Sequence, residues 1–247
     1  MKKLILFFVL VSISVMSFAQ LTLGAHFAYN STWLMNKQVF DEGPEMDIAA
    51  SFGTYYGIIA GYYFSDNFGV EINFNPNKIE QKYAGSIKYF FNDDRNSYDA
   101  STVIKTLDIP ILMKFGKNSY FELGPLVQLI NKATYSRTFE ETNLFNFGHY
   151  NNQDYIFSDA TNIAVKSDFK GTGIGITMGF GANFNIVEDV LKLNFGLRFN
   201  YILSNIEGIN ALGETVDSEF VPDADKANFY NNPLYGGLKV GLIYIFD

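Results

Sequence analysis

Residues 171–186, GTGIGITMGFGANFNI, alternate with a period of two over their whole length. The odd positions are Gly171, Gly173, Gly175, Thr177, Gly179, Gly181, Asn183 and Asn185, all small or polar. The even positions include Ile174, Ile176, Met178, Phe180, Phe184 and Ile186, nearly all bulky and apolar. A helix would repeat every 3.6 residues, so this is a strand whose two faces meet different surroundings. The bulky face carries no charge and suits lipid, while the small face suits a crowded interior.

The same alternation recurs outward from this stretch. Leu191, Leu193, Phe195, Leu197, Phe199, Tyr201 and Leu203 oppose Lys192, Asn194, Gly196, Arg198 and Asn200. Leu238, Val240, Leu242, Tyr244 and Phe246 oppose Lys239 and Gly241. Towards the N-terminus, five further segments begin near Leu21, Thr54, Phe68, Leu107 and Phe121. Pro110 and Pro125 fall inside strand patterns, where a missing ladder donor predicts a bulge or distortion. The total is eight strands.

The connections alternate in length. Short links are expected at 65–67, 116–119 and 187–190, and long polar ones at about 35–50, 84–99, 139–168 and 205–232. Short and long links alternating across eight strands predict an all-β, antiparallel up-and-down transmembrane β-barrel, with short periplasmic turns and long extracellular loops. A soluble barrel of the lipocalin or avidin kind would expose these bulky faces to water as one very large apolar patch. Phe64, Phe68, Phe115, Phe121, Phe184, Tyr244 and Phe246 gather beside the short turns as one aromatic girdle. Tyr29, Trp33, Phe199 and Tyr201 suit the other.

Residues 1–19 carry Lys2 and Lys3, an apolar run from Leu4 to Val11, and Ser17-Phe18-Ala19. They are expected to be a secretory signal peptide cleaved before Gln20, which leaves 20–247 as the barrel domain. Losing the two lysines takes the net charge from −8 to −10. An acidic chain lacks the basic footprint that nucleic acid requires. With no cysteine, a disulfide-stapled scaffold and a cysteine lipid anchor are excluded. Aromatic content of 17% and charge of 18% are unlike disorder.

Residues 106–115, TLDIPILMKF, together with the export signal and the eight-strand layout, resemble PorT-like outer-membrane β-barrel proteins of the Bacteroidota. The stretch is similar to that family's I-P-L-L-x-K-aromatic strand. Lys239, Gly241, Tyr244 and Phe246 resemble the final-strand signal read by the barrel assembly machinery. Such chains usually end on the aromatic residue, whereas this one adds Asp247. The resemblance implies a multi-pass protein of a Gram-negative outer membrane, both termini periplasmic, with lipid and the assembly machinery as partners. The family includes secretion-system components, which implies an envelope assembly as a setting.

Parity points Glu71, Asp108, Lys114, Glu122, Lys192, Arg198 and Lys239 into the lumen. An eight-stranded barrel is just wide enough to be filled by side chains, so an internal ion-pair network plugging it is expected. Lys114 is expected between Glu71 and Glu122, and the glycine row should leave space beside Arg198. No enzyme is expected. His26 faces inward, Ser31 faces the other way, and His149 falls in a long loop, so no nucleophile, base and orienting group converge. The run of alternating glycines lacks the third-glycine spacing of a dinucleotide loop.

The loops are the expected working surface. Residues 205–232 hold Glu207, Glu214, Asp217, Glu219, Asp223 and Asp225 against Lys226 alone. Residues 139–168 mix Glu140, Glu141, Asp154 and Asp159 with Phe139, Phe145, Phe147, Tyr150 and Tyr155. Exposed aromatics among polar residues suit an envelope protein partner. Asp217, Asp223 and Asp225 could attract calcium, but their spacing matches no calcium loop, and no metal or cofactor is expected. The reading is a non-enzymatic structural or interaction module. The alternative is a narrow channel or carrier for small or apolar solutes.

Overall fold

The computed structural model describes residues 20–246 except 66, 92, 143–146, 151–152, 220, 222–225 and 227–228; for 147, 149–150 and 153–154 it describes backbone alone. The expected leader (residues 1–19), Asp66, Phe145, Asp223, Asp225 and Asp247 lie outside the described residues, as do the side chains of Phe147, His149, Tyr150 and Asp154.

Twelve strands are present among the described residues: β1 Gln20–Met35, β2 Ile48–Ala49, β3 Phe52–Ser65, β4 Phe68–Tyr89, β5 Arg95–Phe115, β6 Ser119–Phe139, β7 Phe147–Tyr150, β8 Gln153–Ile156, β9 Ala160–Ala164, β10 Thr172–Val187, β11 Leu191–Ile202 and β12 Asn232–Phe246. Eight of them close a ring in the order β1-β3-β4-β5-β6-β10-β11-β12, and every pairing in it is antiparallel. Closure satisfies each strand's backbone through its neighbours and leaves no sheet edge, which a lipid environment demands. Both described ends of the chain, Gln20 and Phe246, lie at the short-turn end: Leu21 pairs with Phe246 and Tyr62.

Outward residues near that end are apolar and exposed, including Phe64, Phe115, Phe121, Phe184, Tyr244 and Phe246. Phe64, Phe68 and Phe115 touch in sequence, at centroid distances of 5.7 and 5.4 Å. Tyr29, Phe199 and Tyr201 are exposed further along the wall.

The strands β4 and β5 run well into the expected 84–99 link, whereas β6 ends at Phe139, where the next long link was expected to begin. Only residues 90–94 join β4 to β5, so the second long link is mostly strand. The reason is a change in polarity. Nearer the short turns the inward residues of β4 are Glu71, Asn73, Asn75 and Asn77, and the outward ones are apolar. Beyond them the inward residues become mostly apolar, with Ile79, Tyr83 and Ile87 alongside Gln81, and the outward ones include Lys78, Glu80 and Lys82. The strand keeps its parity while its outer solvent changes from lipid to water, so the apolar face moves inside. Inward residues on β5 and β6 make the same change at Ile104 and Ile130.

These residues start a second, apolar core above the polar lumen. Ile79, Tyr83, Ile87, Tyr98, Ile104, Ala133, Tyr135 and Phe139 pack with Leu34, Val39, Met46, Tyr155, Phe157, Phe169, Ile202, Ile206, Ile209 and Leu212. The loop after β11 folds into the barrel mouth, so its first half is not the solvated surface the acidic composition suggests. Phe139 and Tyr155 are likewise core residues, not exposed anchors. A short helix, α1 (Lys37–Asp41), is capped by the Asn36 side chain, which accepts from the Gln38 amide.

Register is kept through both prolines. The β4–β5 ladder is interrupted between the Ile72–Ile111 and Asn75–Asp108 pairs, opposite Pro110. The β5–β6 ladder is interrupted between the Pro110–Leu126 and Met113–Leu123 pairs, opposite Gly124 and Pro125. Register shifts occur elsewhere, one of them at Lys105/Thr106, where Asn131 of β6 is the extra residue.

Candidate functional site

The polar lumen is built from side chains that the strand period aims inward. All seven charged residues assigned there by parity are buried. Five of them meet in one cluster. Lys114 Nζ donates to Glu71 Oε1 at 2.7 Å, and the Tyr63 hydroxyl donates to the same oxygen at 3.1 Å. Arg198 Nε donates to Glu122 Oε1 at 2.6 Å, and Arg198 Nη1 to Asn73 Oδ1 at 2.8 Å. Lys239 Nζ lies 3.3 Å from Glu122 Oε2. The Tyr120 ring sits beside both ammonium groups, 4.1 Å from Lys114 Nζ and 5.4 Å from Lys239 Nζ. Three cations thus face two carboxylates, with the ring quadrupole on the cationic side.

The other two residues stand apart. Asp108, six residues from Lys114 towards the long-loop end of β5, has neutral partners. It accepts from Tyr235 at 2.5 Å, Asn77 at 2.7 Å, Thr106 at 2.7 Å and Gln128 at 3.1 Å. Lys192 lines a cavity of about 30 Å³ at the short-turn mouth with Gln20, Thr22, Tyr63 and Asn183. Lys114 is the cross-strand neighbour of Glu122, but its ion pair is to Glu71, because Arg198 and Lys239 occupy Glu122. The glycines matter at one point here. A Cβ on Gly179, paired with Arg198, would stand 2.7 Å from Glu122 Oε1, so the small residue admits the carboxylate.

Tyr63, Asn73, Tyr120 and Tyr235 complete the site and were not singled out from sequence. Inward parity was the available signal for Asn73; the tyrosines fall in apolar-looking alternation, which hides their hydroxyls. His26 points inward, with Nε2 2.7 Å from Asn75 Oδ1, and its ring meets Tyr55 edge-on at 5.4 Å. Ser31 accepts from Trp33 Nε1 at 2.9 Å. Among the described residues no group of three or more His, Asp or Glu converges as a metal site would require. Lys239 and Gly241 face the lumen, while Tyr244 and Phe246 face outward with rings 4.7 Å apart.

A second closure lies above this layer. Tyr135 donates to the Ala211 carbonyl at 2.9 Å, and Arg137 Nη1 donates to the Leu212 carbonyl at 2.6 Å and to the Tyr155 hydroxyl. Asn231 donates to the Glu207 and Ile209 carbonyls at 2.9 and 3.3 Å, and accepts from Asn36 at 3.1 Å. Asn210 donates to Gln38 at 3.3 Å and accepts from the Leu212 and Glu214 amides. The loop is therefore pinned to β6 by the Tyr135 hydroxyl and the Arg137 guanidinium, and to α1 and its cap by the side-chain amides of Asn210 and Asn231.

Glu214 sits at the edge of this cap. Burial pushes its carboxyl up to about 7, against the opposing pull of Arg137 and the Asn210 hydrogen bond. The folded cap keeps the proton up to about 7, whereas the released loop gives it up near the ordinary 4.5. The cap is therefore most stable below the ordinary range and weakens as pH rises towards 7. Amide exchange over residues 209–214, corrected for intrinsic rate, should show protection falling from about pH 5 to about pH 8. Glu214→Gln should abolish that dependence; an unchanged pH profile in the variant would refute the assignment.

A closed antiparallel ring of eight strands, apolar outside and polar within, defines a transmembrane β-barrel. The family model for the outer membrane protein beta-barrel domain matches residues 5–246, and the chain belongs to that family. It is thus an outer-membrane barrel. Among solved structures it is similar to OprG from Pseudomonas aeruginosa (14% identity, 93% of this chain and 96% of that one, TM-score 0.39). It is also similar to Neisserial surface protein A (14%, 92% and 99%, 0.38). A third is Ail of Yersinia pestis, solved with the heparin analogue sucrose octasulfate (12%, 92% and 99%, 0.34). No curated protein sequence matches the chain.

Proposed function

We propose that this protein is a closed, non-enzymatic barrel that serves as a structural and interaction module of the outer membrane, not as a solute channel. The observation that carries this reading is the fully buried Glu71–Lys114 and Glu122–Arg198–Lys239 cluster, which occupies the lumen at the depth where a conduit would need water. The pinned loop above it adds a second obstruction in series.

Residues 1–19 serve as the export signal, and Lys239, Gly241, Tyr244 and Phe246 as the recognition signal for the barrel assembly machinery. An even number of strands then places both termini in the periplasm and the long loops outside. The resemblance of residues 106–115 to PorT-like barrels suggests an envelope assembly as the setting. A partner would meet the long-loop end, where Phe40, Phe90 and Phe91 are exposed, Phe91 at 83%. Exposed aromatics of this kind are typical anchors.

Purification from outer membranes in mild detergent, with co-purifying proteins identified by mass spectrometry, tests the module. A stoichiometric partner surviving a salt wash, and lost in Phe90→Ser/Phe91→Ser, is expected. Solute uptake into liposomes carrying the barrel alone, abolished by Arg198→Met or Lys114→Met, would establish the carrier instead.

A further inference from the structure

Three lysines form one cross-strand row on the outside of the barrel. Lys78 on β4 is in register with Lys105 on β5, and Lys105 with Lys132 on β6. All three point outward. Simple alternation from Glu122 and Gln128 would turn Lys132 into the lumen. The extra residue Asn131 reverses the parity and aligns Lys132 with Lys105. Like charges directly opposite one another in a sheet repel. Glu80 answers Lys78 at 2.8 Å and Lys82 at 3.9 Å, but among the described residues neither Lys105 nor Lys132 has an ion-pair partner. On a chain of net charge −8, this side of the barrel is locally cationic and under-neutralised.

The height of the row is fixed by its neighbours. On the short-turn side the outer face carries Phe74, Leu107 and Leu129. On the long-loop side the inner face is apolar at Ile79, Ile104 and Ala133. Lipid therefore gives way to water at the row itself, where the headgroups of one leaflet lie. Beyond it on the outer face is a groove of about 420 Å³, whose outward lining includes Glu80, Lys82, Asp99, Ser101, Ser136 and Thr138.

The geometry points to a binding site for a phosphorylated glycolipid of the surrounding leaflet. Its acyl chains lie along Phe74, Leu107 and Leu129, its phosphate on Lys78, Lys105 and Lys132, and its sugar in the hydroxyl-lined groove. Charge complementarity selects the phosphate, because the ammonium groups are point charges with free donors. The proposal rests on the orientation above, with long loops outward, for the leaflet concerned; binding in detergent is independent of it.

The test is titration of the full-length barrel in mild detergent with diphosphoryl lipid A, read by native mass spectrometry. One bound lipid is expected, and Lys105→Gln/Lys132→Gln should weaken it about tenfold or more, while Lys105→Arg/Lys132→Arg retains it. Folding of each variant is checked by heat-modifiable mobility, and Lys105→Gln alone provides a milder variant with a smaller loss. Equal binding of the dephosphorylated lipid, or undiminished binding by the double glutamine variant, would overturn the proposal. Displacement by millimolar inorganic phosphate would also overturn it, reassigning the row to a soluble anion.

Discussion

Glu122→Gln is expected to lower the stability of the barrel by about 3–5 kcal/mol, the cost of stranding buried charge. The Glu122 carboxylate holds both Arg198 and Lys239, and all three side chains are withdrawn from water. Replacing it leaves two cations facing each other with only Glu71, already engaged by Lys114, nearby. Urea unfolding in lipid vesicles, followed by the fluorescence of Trp33, the single tryptophan, measures the loss. Arg198→Met should cost a similar amount, and the double variant less than the sum, because removing both partners removes the unpaired charge. An exposed pair supplies the contrast. Lys170 and Glu207 are 2.9 Å apart but half-exposed, so Glu207→Gln should change stability by less than about 1 kcal/mol. A Glu122→Gln barrel as stable as the parent would refute the buried network.

Gly124→Val is expected to block assembly altogether. A Cβ at Gly124 would lie 1.8 Å from the Ile111 carbonyl oxygen and 2.8 Å from its carbon, both of them backbone atoms. The β5–β6 ladder is interrupted here, and Pro125 follows directly, so the two backbones approach where pairing lapses. Only glycine fits such an approach, and a β-branched residue adds two methyl groups to a space that lacks room for one carbon. Loss of the folded, heat-modifiable band in refolding assays checks this. By contrast, Gly171→Ala meets nothing within 4 Å and should fold normally.

Most of the barrel was legible because lipid imposes a simple rule. Where the outside is hydrocarbon, each strand shows apolar residues outward, so each strand's own parity placed Glu71, Glu122, Arg198 and Lys239 inside. Above the membrane the rule reverses, and there the reading failed. Residues 84–99 looked like a polar loop because Lys88 and Asp99 face water while Ile87 and Tyr98 form a core. The cap was hidden for a different reason. Ile206, Ile209 and Leu212 follow neither strand nor helix period, and Asn210 and Asn231 look like solvated loop residues until Asn210 is seen accepting from the Leu212 and Glu214 amides and Asn231 donating to the Glu207 carbonyl. The pairing of Arg198 with Glu122, 76 residues apart, depends on barrel closure and strand stagger, which alternation does not encode. Lys132 shows the limit most sharply, since one bulged residue turns it from the lumen to the outer face.

Planar-bilayer recording of the purified barrel tests the closed lumen most directly. The account predicts no conductance steps for the parent at any voltage the bilayer withstands. Stable, cation- or anion-selective steps from the parent, altered in Arg198→Met, would contradict it and make the charge cluster the lining of a pore.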